Sequence, residues 1–521
     1  MSAKHVQASK QPEEHKHLLA ENKSLKSQIR YLQTHVEKLE EEKRRLLQQK
    51  FGPSSEKDPS PQMRLFNEPE AAADQEAAEE AEEIVTVPEH KRRKSGRKPL
   101  PDHLPRIEVE HDLSDAEKRC ECGCQLTRIG EEVSEQLDII PAKIQVIRNI
   151  RIKYACKDCE GAVRTAPLPP QPIPKSNASP GLLSHIVVGK YQDALPLARQ
   201  EKQFARIGVE ISRATLARWM IQLGTLVQPL IHLLRERLLE YDYMGMDETR
   251  IQVLKEPDRI AASQSCIWVQ RGGPPGQPVI LFHYTTSKAA RVAEPLLEAY
   301  AGFVQVDGNS TYETLAKAHP EIRLVGCMAH ARRKFFEANQ AQGKKGRTGR
   351  AQKGLSLIQK LYGIERAIKD KPAEEKQSIR EERAAPLLED LHTWALKSID
   401  EVPPSSLTGK ALHYLLEQWP KLICYLEDGR LSIDNNATER AIRPFVIGRR
   451  NWLFADTQRG ASASANLYSL IETAKANNIE PYVYLRHIFK ELPAAQTVEQ
   501  LEAVLPFNLD GATLAMNPAL V

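Results

Sequence analysis

From Tyr243 onward the chain follows an order that few folds accommodate. The stretches "YMGMDETRIQVL", "SCIWVQRG" and "PVILFHYTTS" read as three strands, "VAEPLLEAYA" as a helix and "GFVQVDGN" as a fourth strand, then "TYETLAKAH" as a helix and "IRLVGCMAH" as a fifth strand. Short β-branched and aromatic runs bounded by turn residues mark the strands, and a 3.6-residue period marks the helices. Strands that follow one another directly pair antiparallel, whereas those joined through a helix return parallel. The order β-β-β-α-β-α-β therefore implies one mixed sheet, an antiparallel meander joined to a parallel pair.

This is the order of a ribonuclease-H-like fold, in which the first and fourth strands are neighbours. Asp247 lies in the first strand after Met244, Gly245 and Met246, and Asp307 is expected to end the fourth, flanked by Val304, Val306 and Gly308. A carboxylate among apolar neighbours is costly unless something pairs with it. Two brought together repel, and a bound divalent cation relieves the repulsion.

A third acid comes from "LSIDNNATERAIRPFVIGRRNWLF", where the sheet domain is expected to resume. Asp434 or Asn435 caps a helix that carries Glu439 one turn on, and Asn435, at i−4, is placed to orient it. Three carboxylates suit Mg²⁺ (or Mn²⁺), a hard ion that takes oxygen ligands and keeps waters for substrate phosphates. Two such ions about 4 Å apart would serve in-line displacement at a phosphodiester. Arg440, Arg443, Arg449 and Arg450 are then expected to line the path of a polyanion.

The fold class expected for the whole chain is multidomain α/β. With 521 residues it is long enough for several domains, and 73 basic against 69 acidic residues leave a net charge of only +4, so any nucleic-acid face must be local. Leu18, Leu25, Leu32, Leu39 and Leu46 recur every seven residues, with Asn22, Ile29, Val36 and Lys43 at the intervening positions, which places a leucine-zipper coiled coil at 14–50 and implies a homodimer. A disordered linker at 51–105 carries the acidic "EPEAAADQEAAEEAEE" and then the basic arm "HKRRKSGRKPLP".

A zinc-ribbon-like module at 106–170 follows. "CECGC" and "CKDC" offer Cys120, Cys122, Cys156 and Cys159 as Zn²⁺ ligands, with Cys124 an alternative to Cys122. The segment "KIQVIRNIRIKYAC" between them alternates as strands do. A helical region at 175–240 has helix-turn-helix shape in "FARIGVEISRATLARWM", turning at Gly208 and capped by Ser212, with Arg213, Thr215 and Arg218 projecting from its second helix. The sheet domain is then expected at 241–340 and 431–490, split by an all-helical insertion at 341–430 and followed by a helical element at 491–521. No stretch suits a membrane span and the N-terminus is polar, so a soluble, intracellular protein in the cytoplasm is expected.

Taken together, "KFGPSSEK", the cysteine pairs, "SEQLDIIPAKIQVIRNIRIKYAC", "DET", "VDGN", "GCMAHARRKFFEA" and "DNNATERAIRPFVIGRRNW" resemble the insertion-sequence-66 family of bacterial transposases over nearly the whole chain. The resemblance implies an Asp-Asp-Glu transposase with Asp247, Asp307 and Glu439 as its metal-binding acids, double-stranded DNA as transposon end and target, and two small accessory proteins of the same element. "CMAH" resembles a Cys-x-x-His element that brings a histidine, here His330, toward the scissile phosphate. Arg332, Arg333 and Lys334 follow as candidate phosphate contacts, and Trp452 as a platform for an unpaired base. The first cysteine knuckle is shorter than the family's spacing, and Asn309 stands where an aromatic is expected, a difference expected to touch local packing more than the acid. Competing readings are a nuclease that stops after hydrolysis and a zinc-containing dimeric DNA-binding protein whose acids are structural.

Overall fold

The computed structural model describes residues 144–154, 164–342 and 349–511, with Leu514 and, near the N-terminus, Leu25, Lys26, Gln28 and Leu32. Cys120, Cys122, Cys124, Cys156 and Cys159, the 51–105 linker and the remaining zipper leucines lie outside the described residues. Leu25 and Leu32, one heptad apart, are helical and 51% and 58% exposed.

Two units make up the chain, residues 80–168 and the remainder. In the first, Lys153–Tyr154 pairs antiparallel with Arg164–Thr165. The strand expected over "KIQVIRNIRIKYAC" shrinks to that pair: 144–152 form no strand, and Val146 stands 93% exposed because no described segment packs on it.

In the second unit, β1 (Tyr243–Lys255), β2 (Gln264–Gly272), β3 (Val279–Thr285), β4 (Gly302–Gln305), β5 (Ile322–Val325) and β6 (Phe454–Thr457) form a sheet in the order β3-β2-β1-β4-β5, with β6 also on β1. The first three strands are antiparallel, whereas β4 and β6 run parallel to β1 and β5 parallel to β4. At 13 residues β1 is long enough for two partners on one edge. β4 takes Tyr243 to Gly245 and β6 takes Gln252 to Lys255, which leaves Met246 to Ile251, the span containing Asp247, unpaired on that side.

Four helices precede the sheet: α1 (Pro180–Tyr191), α2 (Leu197–Arg206), α3 (Arg213–Leu226) and α4 (Gln228–Leu239). Gly208 turns between α2 and α3 at φ +79°, a backbone that glycine adopts at little cost, and Ser212 caps α3 by accepting the Thr215 N–H. Between β3 and β4 the expected helix is reduced to one turn, Ala290–Ala293, and a 3₁₀ turn, Glu294–Leu296, since Pro295 has no N–H to continue it. α5 (Ser310–Ala318) joins β4 to β5, and α6 (Met328–Gln342) leaves the sheet after β5.

The stretch that follows is helical: α7 (Arg350–Ala367), α8 (Ala373–Ile379), a π segment at Arg380–Ala384, α9 (Ala385–Ile399) and α10 (Leu407–Leu422). It has a core of its own, with Phe335, Ile358, Leu391 and Leu415 fully buried against Val325 and Met328 at the sheet's end. The chain then returns as α11 (Asn436–Trp452), runs through β6, and continues as α12 (Gln458–Ala476) and α13 (Pro481–Glu491). These helices share the main core with the sheet, where Trp268, Phe282, Phe445 and Tyr468 are buried. Each such side chain contributes on the order of 2 kcal/mol through burial.

Candidate active site

The site forms where α11 crosses β1. Gly245 permits the approach: a Cβ there would stand 2.0 Å from Thr438 Oγ1 and 3.0 Å from Asn435 Oδ1. The Asn435 amide donates to the Met246 carbonyl at 2.9 Å, and its backbone N–H donates to Cys327 Sγ at 3.2 Å. Asn435 therefore fastens the start of α11 to β1 and to the end of β5, in place of the orienting role expected for it toward Glu439. It occupies the cap position without a side-chain cap bond, and Asp434 Oδ1 accepts the Asn436 N–H at 3.1 Å.

Glu439 stands in the first turn of α11, 3% exposed, with no hydrogen-bond partner on either carboxylate oxygen. Burial pushes its pKa up to about 7, with Asp434 and Asp307 raising it further against the pull of Arg333 and Arg440. Asp247 projects from the same face of β1 as Gly245, two residues on. Burial first, then the charges of Glu248, Glu439 and Asp307, hold its carboxyl well above the usual range. Asp307 lies two residues beyond the last paired residue of β4, rather than ending the strand, and its Oδ1 accepts the Asn309 N–H at 2.9 Å. Burial and then Glu248 raise its pKa. The three acids thus feel one another across α11, β1 and β4.

Their oxygens do not all converge. Among the described residues the tight donor cluster is Cys327, His330 and Glu439, whose ligand atoms lie within 4.8 Å of one another, and neither Asp247 nor Asp307 belongs to it. His330, in the first turn of α6, sets Nδ1 3.6 Å from Glu439 Oε1, which is beyond a hydrogen bond. Burial, and after it Arg333 and Lys334, lowers the imidazole pKa to about 4, so the ring is neutral at pH 7 and the contact is not an ion pair.

A fourth acid escaped the sequence reading. Glu248, next to Asp247, accepts from Lys288 Nζ at 2.9 Å, Asn309 Nδ2 at 2.6 Å and the Tyr312 hydroxyl at 2.5 Å. Asn309, expected to affect packing alone, bonds both Asp307 and Glu248 and also caps α5 through the Thr311 N–H. The adjacency of two acids in "DET" was the available signal. Nothing local tells which of the two faces three donors.

The candidate DNA contacts fall into three groups. Arg213 and Arg218 are exposed on α3, as are Arg440 and Arg450 on α11. Arg333 and Arg443 are half-buried, Arg332 is 4% exposed and shielded from any phosphate, and the Lys334 ammonium sits over the Tyr414 ring. Arg449 and Trp452 depart from expectation. The Arg449 guanidinium donates to Thr249 Oγ1 at 3.0 Å and to the Arg250 carbonyl, filling the unpaired stretch of β1 between β4 and β6. Trp452 packs edge-on against Phe445, with centroids 5.5 Å apart, under the Lys190 ammonium, so its ring is not presented to a base. Among the described residues no helix is long and apolar enough to cross a membrane.

Comparison with known proteins follows this division. Residues 175–463 match the model described as Transposase IS66 family. Residues 38–109 match Transposase C of IS166 homeodomain, 117–160 the zinc-finger binding domain of transposase IS66, and 469–507 the IS66 C-terminal element. Among curated relatives, "Uncharacterized protein y4jD" of Sinorhizobium fredii is 34% identical over 420 residues, 78% of this chain and 81% of that protein. "Uncharacterized protein y4hP" of the same organism is 32% identical over 464 residues, 85% of this chain and 83% of that protein.

Proposed function

This chain belongs to the IS66 family of transposases and is the transposase of an insertion sequence, and from that premise we propose that Asp247, Asp307 and Glu439 are the acids that hold its catalytic divalent cations. The observation that carries the reading is Glu439: two buried carboxylate oxygens without a donor, within electrostatic reach of two further acids whose ionisation is also resisted. Such donors fit a hard cation, which supplies the positive charge that hydrogen bonding here does not. Mg²⁺ (or Mn²⁺) bound there would activate the attacking oxygen and stabilise the leaving one, first in hydrolysis of a strand at each element end and then in attack of the freed 3′-hydroxyl on target DNA.

The chain's own residues prepare that site. Asn435 and Gly245 set the depth at which α11 meets β1, and so the reach of Glu439. Asn309 holds Asp307 and Glu248 together from the start of α5. Neutral His330 places no positive charge against a cation held by Glu439, and would offer a ring nitrogen toward the scissile phosphate. Arg440, Arg443, Arg450 and Arg333 would contact the backbone beside the acids, and Arg213 and Arg218 the terminal repeat. The strand order supports a ribonuclease-H-like catalytic domain at 241–340 and 431–490, interrupted by the helical insertion. Cys120, Cys122 (or Cys124), Cys156 and Cys159 would hold Zn²⁺, the 14–50 zipper would pair two copies, and two accessory proteins of the element would complete the assembly.

Labelled DNA carrying the cognate element end tests this, with Mg²⁺ or Mn²⁺ and with Glu439→Gln beside the wild type. Metal-dependent cleavage and joining lost in the variant, with DNA binding retained, is the expected result. Joining that survives in the variant refutes the assignment of Glu439, and hydrolysis without joining favours the nuclease.

A further inference from the structure

Cys327, His330 and Glu439 bring three chemically different donors to one spot, and the chemistry proposed above uses only Glu439 as a metal ligand. Cys327 follows the end of β5, His330 lies in the first turn of α6, and Glu439 enters from α11. Their ligand atoms lie within 4.8 Å of one another. The His330 N–H donates to the Cys327 carbonyl at 3.2 Å, closing the turn that sets sulfur and ring side by side. Two backbone bonds then lock the start of α11 against that turn. The Met328 N–H donates to the Ile433 carbonyl at 3.0 Å, and the Asn435 N–H to Cys327 Sγ at 3.2 Å. The donors are therefore held together before any ion arrives.

Little has to be displaced for an ion to enter. Both Glu439 oxygens and His330 Nδ1 are buried without a hydrogen-bond partner. An N–H donated to sulfur is compatible with a metal on the same atom. Burying such groups unpartnered is costly, and three of these atoms converge here beside a buried thiol. Spacing decides which partner fits. His330 Nδ1 and Glu439 Oε1 stand 3.6 Å apart, beyond a hydrogen bond. Nitrogen and oxygen donors about 2.0 to 2.1 Å from a tetrahedral ion stand roughly 3.4 Å from each other, and a thiolate at about 2.3 Å stands roughly 3.6 Å from either. A small turn of the Glu439 side chain closes the difference. Thiolate, imidazole and carboxylate together select Zn²⁺ over Mg²⁺, which takes oxygens in an octahedron.

We infer that Cys327, His330 and Glu439 form a second metal site, one for Zn²⁺, and that an ion bound there takes Glu439 away from Asp247 and Asp307. Binding releases the thiol proton to solvent, and water fills the fourth position. Zn²⁺ at this site is then an inhibitor of the Mg²⁺-supported reaction. The competition rests on the reading of Glu439 as a catalytic acid, whereas the binding does not.

The probe is Co²⁺, whose bond to a thiolate gives a charge-transfer absorption that closed-shell Zn²⁺ does not show at the same wavelengths. The full chain first receives one equivalent of Zn²⁺, which the thiolates proposed at 120–159 hold in preference to three mixed donors, and Co²⁺ is then titrated. Wild type should develop the absorption and Cys327→Ser should lose it, while His330→Ala and Glu439→Gln each weaken Co²⁺ binding about tenfold or more. His330 is half-buried, so His330→Ala keeps the test open should Cys327→Ser unfold. In strand joining at fixed Mg²⁺, Zn²⁺ at the concentration that displaces Co²⁺ should slow the wild type about tenfold or more and Cys327→Ser far less, each relative to its own rate before the addition. No thiolate absorption in the wild type, absorption that survives Cys327→Ser, or joining slowed equally or not at all in the two proteins overturns the inference. Joining that persists in Glu439→Gln refutes the catalytic reading instead and leaves the Co²⁺ result standing.

Discussion

Replacing Gly245 with alanine tests how tightly catalysis depends on the seating of α11. The new Cβ would lie 2.0 Å from Thr438 Oγ1, where ordinary contact begins at 3.4 Å, and 3.3 Å from Thr438 Cβ. Thr438 is 2% exposed and the strand beneath is the centre of the sheet, so the Thr438 hydroxyl must turn within a closed space or α11 must lift at its first turn. Overpacking of this kind costs about 1 to 3 kcal/mol of stability. Glu439 sits one residue after Thr438 and moves with it, and a displacement near 1 Å of a catalytic group costs roughly a hundredfold in rate. Thermal unfolding and single-turnover strand joining should fall together in Gly245→Ala. The double variant Gly245→Ala, Thr438→Ala removes the worst contact and should recover part of both, giving a coupling energy of about 1 kcal/mol or more in a double-mutant cycle. A fully active, fully stable Gly245→Ala, or strictly additive effects, would refute the claim that this contact sets the position of Glu439.

Other expectations follow from the same geometry. The folded pKa of Glu439, about 7, lies above its ordinary 4.5, so its contribution favours the Mg²⁺-free fold fully below about pH 4.5 and is lost as pH rises through 7, a change of about 3 kcal/mol. Mg²⁺ should therefore raise Tm more at pH 8 than at pH 5 in zinc-replete buffer; an equal rise at both would contradict the buried-acid reading. Leu453, at φ +66° and 64% exposed, pays little in burial and much in backbone, so Leu453→Gly should gain about 1 kcal/mol in denaturant unfolding, whereas a loss would place the side chain in a contact that matters. Arg449→Ala should lower stability by about 1 to 2 kcal/mol and leave the salt slope of DNA binding intact, while Arg440→Ala should reduce that slope by about one with little change in Tm.

The sheet was readable because its strands are consecutive apolar runs separated by turn residues, and the handedness of connections leaves little freedom in their order. Asp247 lies where the pattern put it, at a strand position that burial should reject, whereas Asp307 falls two residues past the strand it was expected to end. What could not be read depends on contacts between residues far apart in the chain. Asn435 looks like a capping residue in its own segment, yet its amide bonds Met246, 189 residues away. Arg449 belongs to an arginine run that suits a polyanion, but the gap it fills exists only because β4 and β6 take opposite ends of β1. Trp452 is claimed by Phe445 on its own helix and Lys190 on a distant one. The helix around Pro295 was lost to a local rule that the apolar period had masked.

The central claim is that three carboxylates from α11, β1 and the end of β4 act as one metal site. Direct Mn²⁺ binding, counted by electron paramagnetic resonance on the full chain with its cysteines zinc-loaded and an element end bound, addresses it without relying on turnover. Wild type should bind Mn²⁺ tightly, and Asp247→Asn, Asp307→Asn and Glu439→Gln should each weaken that binding by about tenfold or more while DNA stays bound. Undiminished Mn²⁺ binding in Glu439→Gln, with loss only in the aspartate variants, would contradict the account and leave Glu439 to the Cys327 and His330 cluster beside it.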